Sequence, residues 1–297
     1  MVKSRRFFLK SDYLWAYMFI APVIAGLCAL NIYPFFKCIA LAFTERDTAV
    51  FTAQNFVTLF TQDRYFWQST ANTLYFAVLT VPVGVFIALI LAVLLNRQIR
   101  CRGIYRAVFF LPMVCAPSAI AMVWRWCVFN SNSGFINYTL GLVGIQGPKW
   151  LSDPNVVMVS VAIISVWKNV GYDMVLLLAG LQFIPKTYYE AASLDGATPL
   201  QQFRHITVPM ISPALFFVII MRTMNAVRQF DLSFMIAHDR QPGFRNVQTL
   251  LYQFYRETFI KLNANYGASI VLWTVMIVLL ITAFQFFMEK RWVNYDA

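Results

Sequence analysis

The sequence IPKTYYEAASLDGATPLQQFRHITVP, residues 184–209, lies between two long apolar stretches and contains closely spaced helix signals. Thr187 is followed three residues later by Glu190, a capping-box pattern that predicts the start of a helix. Gly196 stands where the end of a helix favours a residue that tolerates a positive φ angle. This half of the segment therefore predicts one short helix that ends at the glycine.

The second half of the segment carries another start signal. Thr198 is an expected N-cap, with Pro199 at the first helical position and Gln201 three residues after the cap. Pro209 lacks a backbone donor and restricts the residue before it, which predicts that this helix ends near Val208. The segment as a whole is expected to form two short helices joined at the glycine and exposed at the inner face of a membrane.

The composition of the chain is that of a membrane protein. Of its 297 residues, 60% are hydrophobic and only 12% are charged, whereas soluble domains carry about 25% charged residues. A helix that crosses a bilayer needs about 20 apolar residues. The sequence predicts an all-α integral membrane protein with a single transmembrane domain over residues 1–297. The six predicted spans are 14–36, 72–95, 104–129, 156–181, 211–229 and 267–288.

The positions of lysine and arginine predict the orientation of these spans. Twelve lie in or beside the N-terminal segment, the loops after the second and fourth spans, and the C-terminal tail. Eight lie in the opposite loops, and those in the long loop after the fifth span carry little weight in this rule. Both termini and segment 184–209 are therefore predicted to be cytoplasmic. The net charge of +11 is explained by basic cytoplasmic loops, and no nucleic-acid partner is expected.

The sequence offers no pattern for a resident cofactor. Its five cysteines form no C-x-x-C pair, and its two histidines have no metal-ligand spacing. No G-x-x-x-x-G-K-[ST] segment is present to hold ATP phosphates. We expect no metal, no catalytic residues and no cofactor in this chain, so energy for transport would come from a partner.

Segment 184–209 resembles the EAA loop of ABC importer permeases, which reads E-A-A, three residues, G, nine residues, I-x-L-P. The one departure is Val208 in place of leucine. The matching residues here are Glu190, Ala191, Ala192, Gly196, Ile206 and Pro209. The resemblance implies that six residues couple this chain to the ATPase: Glu190, Ala191, Ala192, Asp195, Gly196 and Pro209.

The resemblance extends along nearly the whole chain to the carbohydrate-uptake permeases of the maltose and glycerol-3-phosphate types. It implies a type I permease of the bacterial plasma membrane, in contact with lipid, that imports a saccharide. It also implies three kinds of protein partner. These are a second permease with its own EAA loop, two ATPase subunits that bind ATP and magnesium, and an extracytoplasmic solute-binding protein.

Two cations, Lys168 and Arg222, fall near the middle of predicted spans. A basic residue at the bilayer centre costs roughly 2.5–3.5 kcal/mol, so it normally faces a cavity or a partner. Asp173 lies about 140° around the helix from Lys168, too far for a good pair. Both cations could be structural, paired across helices or with the second permease. Alternatively, they could line the transport path.

The resemblance places the substrate path on two helices, and Tyr172 is a candidate ring platform for a sugar. Cations at two path positions suggest an anionic ligand, such as a uronate-containing saccharide or a phosphorylated polyol, because charge-assisted hydrogen bonds are about twice as strong as neutral ones. The implied path positions are Ser165, Lys168, Asn169, Arg222, Ala226 and Gln229.

Other functions stay open at this point. A neutral oligosaccharide is the alternative substrate. An ion-coupled secondary transporter usually has intramembrane acids and internal repeats, whereas the mid-membrane charges here are mainly basic and no repeat is visible. A membrane-embedded enzyme and a purely structural scaffold are the remaining classes.

Overall fold

The computed structural model describes residues 3–46, 50–97, 99–131, 133–236 and 242–294, with side chains from Tyr13 onward. Its regular structure is helical, apart from an isolated antiparallel bridge between Thr44 and Phe51. Four π-helical turns, at Cys28–Ile32, Trp124–Val128, Phe203–Thr207 and Arg256–Ile260, interrupt or extend the α-helices. The described α-helices are α1 (Lys3–Leu27), α2 (Tyr33–Ala42), α3 (Gln54–Thr61), α4 (Arg64–Asn96), α5 (Arg102–Val114), α6 (Pro117–Val123), α7 (Phe135–Leu142), α8 (Val157–Gln182), α9 (Lys186–Leu194), α10 (Pro199–Gln202), α11 (Val208–Val227), α12 (Asp231–Ile236), α13 (Phe244–Val247), α14 (Leu250–Tyr255) and α15 (Ala264–Trp292).

Five helices of the described chain are long and apolar enough to cross a membrane. They coincide with five of the predicted spans, and most of them are several residues longer than predicted, since polar residues at a helix end continue the hydrogen-bonded ladder beyond the hydrocarbon. Their bounds are Tyr13–Ala42, Arg64–Asn96, Val157–Gln182, Pro199–Val227 and Ala264–Trp292.

The remaining predicted span, 104–129, is not one straight helix. It is divided into α5 and the helix that begins at Pro117, and the two are bent by 98°. Pro117 disfavours the helical conformation in the residue before it, and both Cys115 and Ala116 adopt extended ψ angles of 144° and 133°. If the bent pair counts as one span, the total is six, and that even number agrees with both termini on one side.

The core lies where α4, α8 and α11 pack together. Ala88 from α4, Met174 and Leu177 from α8, and Val218 from α11 are all fully buried in one apolar cluster. By contrast, the apolar window of the first span has no buried residue. Helices α4, α8 and α11 therefore form the packed core of the chain. The two candidate sites described below lie next to this core.

Candidate functional site

Helix α9 forms the first part of the predicted EAA loop, but it begins earlier than the sequence analysis predicted. Its N-cap is Pro185, with φ −60° and ψ 135°, and no side chain caps the first turn. The prediction of a capping box at Thr187 and Glu190 is therefore wrong. Pro185 has an extended conformation that separates α9 from α8, and the helix begins directly after it, at Lys186. Glu190 and Thr187 instead present their side chains to solvent.

Helix α9 ends in a Schellman motif at Gly196, as the glycine predicted. The Ala197 N–H donates to the Ala192 carbonyl at 2.9 Å, and the Gly196 N–H donates to the Ser193 carbonyl at 3.1 Å. Gly196 has φ +78°, a conformation in which a Cβ is strained and glycine is favoured. The turn therefore depends on this residue.

The N-cap predicted at Thr198 is confirmed, and the structure shows that it is a full capping box. The Gln201 side chain accepts from the Thr198 N–H at 2.7 Å, while the Thr198 hydroxyl accepts from the Gln201 N–H at 3.4 Å. These reciprocal bonds satisfy two donors at the open end of α10. The start of the second helix is therefore fixed locally by two side chains.

The predicted end of this helix near Val208 is wrong. The helix continues through a π-helical turn, Phe203–Thr207, into α11, so that Pro199–Val227 is a single long element. The Val208 N–H donates to the carbonyl of Phe203, five residues back. The backbone hydrogen bonds of the helix have therefore already shifted from a spacing of four residues to a spacing of five just before Pro209. Pro209 has no N–H to donate, and its usual cost inside a helix is reduced because the regular bonding is interrupted there. The coupling loop is one short helix attached to the end of a transmembrane helix.

Two side-chain bonds hold α9 against the start of this long helix. The hydroxyls of Tyr189 and Thr207 lie 3.0 Å apart, and the Gln202 amide donates to the Ser193 hydroxyl at 2.9 Å. Tyr189 also packs on the core cluster of α4, α8 and α11. These contacts join α9 directly to the base of α11.

The structure places the predicted coupling residues on the outer surface of this unit. The carboxylates of Glu190 and Asp195 are exposed, whereas Ala192 and Pro209 are half-buried, and Ala191 is exposed.

Two coupling-loop surface residues were missed by the sequence analysis. Leu194 and Leu200 flank the turn and are 90% and 75% exposed. Exposed leucines on a segment that is otherwise polar could have been noticed, because a solvated helix rarely needs them. They give the loop an apolar end that suits a protein partner.

The second candidate site is a cavity of about 460 Å³ between α4, α8, α11 and the segment after α11. Six of the seven residues that the sequence analysis assigned to the path line it, and Ala226 is one of them. Tyr172 is half-buried on α8 and does not appear in the lining. Predicted residues in the lining are Ser165, Lys168, Asn169, Arg222, Ala226 and Gln229. The polar lining residues that the sequence analysis missed are Thr80, Asn225, Arg228 and Asp231.

Arg222 is held by an ion pair across two helices. Its Nη1 lies 2.7 Å from Oδ2 of Asp173, and both side chains are almost fully buried, with 4% and 6% exposed. Gly84 on α4 leaves the space that the guanidinium occupies, since a Cβ there would overlap Nη2 and lie 2.7 Å from Cζ. Of the two interpretations for Arg222, pairing across helices is the one that the geometry favours.

Lys168 and Arg228 differ from Arg222. In the part of the chain that the structure describes, neither forms an ion pair. The acidic group in the described lining is Asp231, which is exposed. The Asn169 side-chain amide donates a hydrogen bond to the Ser165 carbonyl within α8, at 2.7 Å. The cavity therefore carries two cations that can interact with a ligand.

Comparisons with known proteins agree with this architecture. Residues 80–294 match the family described as "Binding-protein-dependent transport system inner membrane component". The chain is 34% identical to the sn-glycerol-3-phosphate transport system permease protein UgpA of Agrobacterium fabrum, over 94% of this chain and 96% of that protein. It is 31% identical to the lactose transport system permease protein LacF of Rhizobium radiobacter, over 98% and 99% of the two chains.

A solved structure shows the same fold. It is a bacterial ABC transporter involved in the import of the acidic polysaccharide alginate, which matches with a TM-score of 0.85 and 22% identity, over 96% of this chain and 98% of that one. The family match covers more than two thirds of the sequence. It argues against the alternative classes of ion-coupled transporter, membrane enzyme and structural scaffold. Permeases of this kind work with partner ATPases that bind the ATP. The chain belongs to the binding-protein-dependent transport system inner membrane components, and it is a multi-pass permease subunit of an ABC importer.

Proposed function

We propose that this permease carries an anionic saccharide or a phosphorylated polyol through the cavity between α8 and α11. The observation that supports the proposal is a pair of cations in the lining, Lys168 and Arg228, that form no ion pair with any residue that the structure describes. The acidic residue in the described lining is Asp231. Arg222 contributes little net charge because Asp173 neutralises it. The cavity therefore favours a carboxylate or a phosphate.

The energetics of the site support a charged ligand. A lysine within a membrane span is expensive unless a counter-ion or water compensates it. A carboxylate or phosphate would provide charge-assisted hydrogen bonds, which are worth about 1.5–3 kcal/mol each. The amide of Gln229 and the hydroxyl of Ser165 lie in the same lining and could bind sugar hydroxyls.

The names of similar proteins support both the anionic substrate and its alternative. UgpA is named for glycerol-3-phosphate and LacF for the neutral sugar lactose. The alginate transporter matches in fold. Lys168 and Arg228 favour the anionic class here, because a neutral sugar would leave both cations without a counter-charge.

We also propose how the subunit assembles. It pairs with a second EAA-bearing permease in the lipid bilayer and receives substrate from an extracytoplasmic binding protein. The complex contains two ATPase subunits, which bind ATP and magnesium. One of them docks on this chain, at the inner surface formed by Glu190, Asp195 and the exposed leucines beside Gly196, and the other docks on the EAA loop of the second permease. The bonds that tie α9 to the base of α11 would carry the ATPase motion into the cavity wall.

The variant Lys168→Gln tests the substrate class. We expect it to raise the KM for a labelled anionic substrate, such as glycerol-3-phosphate or a galacturonate disaccharide, by at least about tenfold, since one charge-assisted bond is lost. Uptake would be measured in proteoliposomes that contain the complete transporter and its binding protein.

Lys149→Gln is the matched control. Lys149 is exposed on a predicted outer loop and does not line the cavity, so this substitution removes one positive charge and leaves the cavity unchanged. Transport of lactose in place of the anionic substrates, or an unchanged KM in the Lys168 variant, would contradict the proposed substrate class.

A further inference from the structure

A second, larger cleft lies on a different side of α8 and shares no lining residue with the transport cavity. Its volume is about 820 Å³, and its walls come from α4, α5 and α8. The lining consists of apolar side chains and Cys115, and several of them are open to the surroundings. Val83, Val108 and Leu111 are 48%, 60% and 63% exposed. We call this cleft the apolar groove.

Arginines lie at one end of the apolar groove. Arg102 and Arg106 occupy the first turns of α5, and Arg106 precedes the groove residue Phe109 by three positions, a rise of about 4.5 Å along the helix. Arg97 and Arg100 are exposed on the short connection before α5. The groove therefore runs from a basic end toward the middle of the membrane.

Two of these guanidinium groups converge on one neutral acceptor. With its amide oriented to satisfy both groups, Gln182 accepts hydrogen bonds from Nη2 of Arg102 and Nη2 of Arg106, each at 2.9 Å. The Nε atoms of both arginines are buried and have no hydrogen-bond partner among the described residues. Two cations this close, with only an amide between them, repel each other unless an anion binds to them.

The part of the sequence that contains these arginines supplies no such anion. Its sequence contains no aspartate or glutamate between Asp63 and Asp153. Over the described residues, none of the four arginines forms an ion pair. The compensating negative charge must therefore come from another molecule.

We propose that the apolar groove and its basic end bind one anionic phospholipid. The phosphate is bound by the guanidinium groups of Arg102 and Arg106, and an acyl chain lies in the groove between α5 and α8. Basic pockets between transmembrane helices at the membrane surface suit anionic head groups, and arginine can bind a phosphate with two parallel hydrogen bonds. An apolar helix of a second permease would fill the groove, but its apolar side chains would leave the arginines without an anion.

Native mass spectrometry of the full-length chain in a neutral detergent tests this site. Dioleoyl phosphatidylglycerol should bind with at least tenfold higher affinity than dioleoyl phosphatidylcholine. The double variant Arg102→Gln/Arg106→Gln should lose about 30-fold in phosphatidylglycerol affinity, from about 1 kcal/mol for each basic residue near the head group. Arg102→Lys/Arg106→Lys keeps the charges, so it should retain most of the binding even if the glutamine variant folds poorly.

Two controls separate the lipid from other occupants. Arg46→Gln/Arg64→Gln removes two arginines from the opposite side and should leave binding unchanged. Soluble glycerophosphoglycerol, which has the head group without acyl chains, should compete weakly. Equal binding of both lipids, or unchanged binding in the glutamine variant, would overturn the proposal. Tight binding of the soluble head group would show a free phosphate site instead, and loss of the lipid from the assembled two-permease complex would assign the groove to the partner.

Discussion

Asp173→Asn is expected to lower the free energy of unfolding by about 3–5 kcal/mol, the cost of leaving one charge of a buried ion pair without its partner. Asparagine keeps the shape of the side chain and one acceptor for Arg222, but it removes the negative charge. Both groups are almost fully buried between α8 and α11, so water cannot replace the lost carboxylate. The measurement is thermal unfolding of the detergent-solubilised transporter, with the amount of assembled complex in the membrane as a second readout.

The double variant Asp173→Leu/Arg222→Met is the control for this prediction. It replaces both charges with apolar groups, and such replacements are often neutral or stabilising. We expect most of the stability to return and uptake to remain near that of the wild type. A double variant that is stable but no longer transports the anionic substrate would show that Arg222 binds substrate, and an unchanged stability in Asp173→Asn would contradict the buried pair.

The Arg222–Asp173 pair also shows a limit of reading one sequence. The two residues are separated by 49 positions and lie on helices whose neighbours a single sequence does not reveal. The angle of about 140° between Lys168 and Asp173 around α8 correctly excluded Asp173 as a partner for Lys168. Such an angle depends on the geometry of one helix only, so the sequence is enough to predict it. The position of Gly84 behind the guanidinium depends on a third helix, and no local pattern reports it.

The apolar runs predicted the membrane helices well, because the number of residues needed to cross the bilayer is a local requirement. The bend after Val114 was missed although Pro117 was visible in the sequence. Proline inside an apolar run can either kink a helix or be accommodated, and Pro22 and Pro82 are accommodated within long helices here. Packing against the rest of the chain decides between these outcomes.

In the segment 184–209, two of the local signals were reliable, whereas the capping pattern at Thr187 and Glu190 and the predicted helix end near Val208 were wrong. Gly196 and the Thr198–Gln201 pair predicted their turns correctly, because each is set by backbone conformation and adjacent donors. The continuation of the helix through Pro209 depends on the π-helical turn before it, which a proline rule does not anticipate. As a result, the loop is attached to α11 more directly than two separate helices would be.

This direct attachment makes Gly196→Asp the second variant with a large expected effect. We expect the transporter to assemble and to hydrolyse ATP, but uptake should fall by at least about tenfold. No atom lies within 4 Å of a Cβ built at this position, so the substitution causes no clash. Aspartate, like asparagine, is among the residues that tolerate a left-handed backbone such as this one, with φ +78°. The effect would therefore come mainly from a second carboxylate beside Asp195 at the negative end of the α9 dipole.

Two further substitutions separate these causes. Gly196→Asn tolerates a left-handed backbone and adds no charge, so it should retain most of the uptake. Gly196→Val adds no charge but is strained in this conformation by about 1–2 kcal/mol, and it should uncouple as the aspartate does if the shape of the turn transmits the motion. ATP hydrolysis and uptake would be measured in the same proteoliposomes. If all three variants transport normally, α9 does not act as a rigid link between the ATPase and α11, because the Schellman turn would then be dispensable.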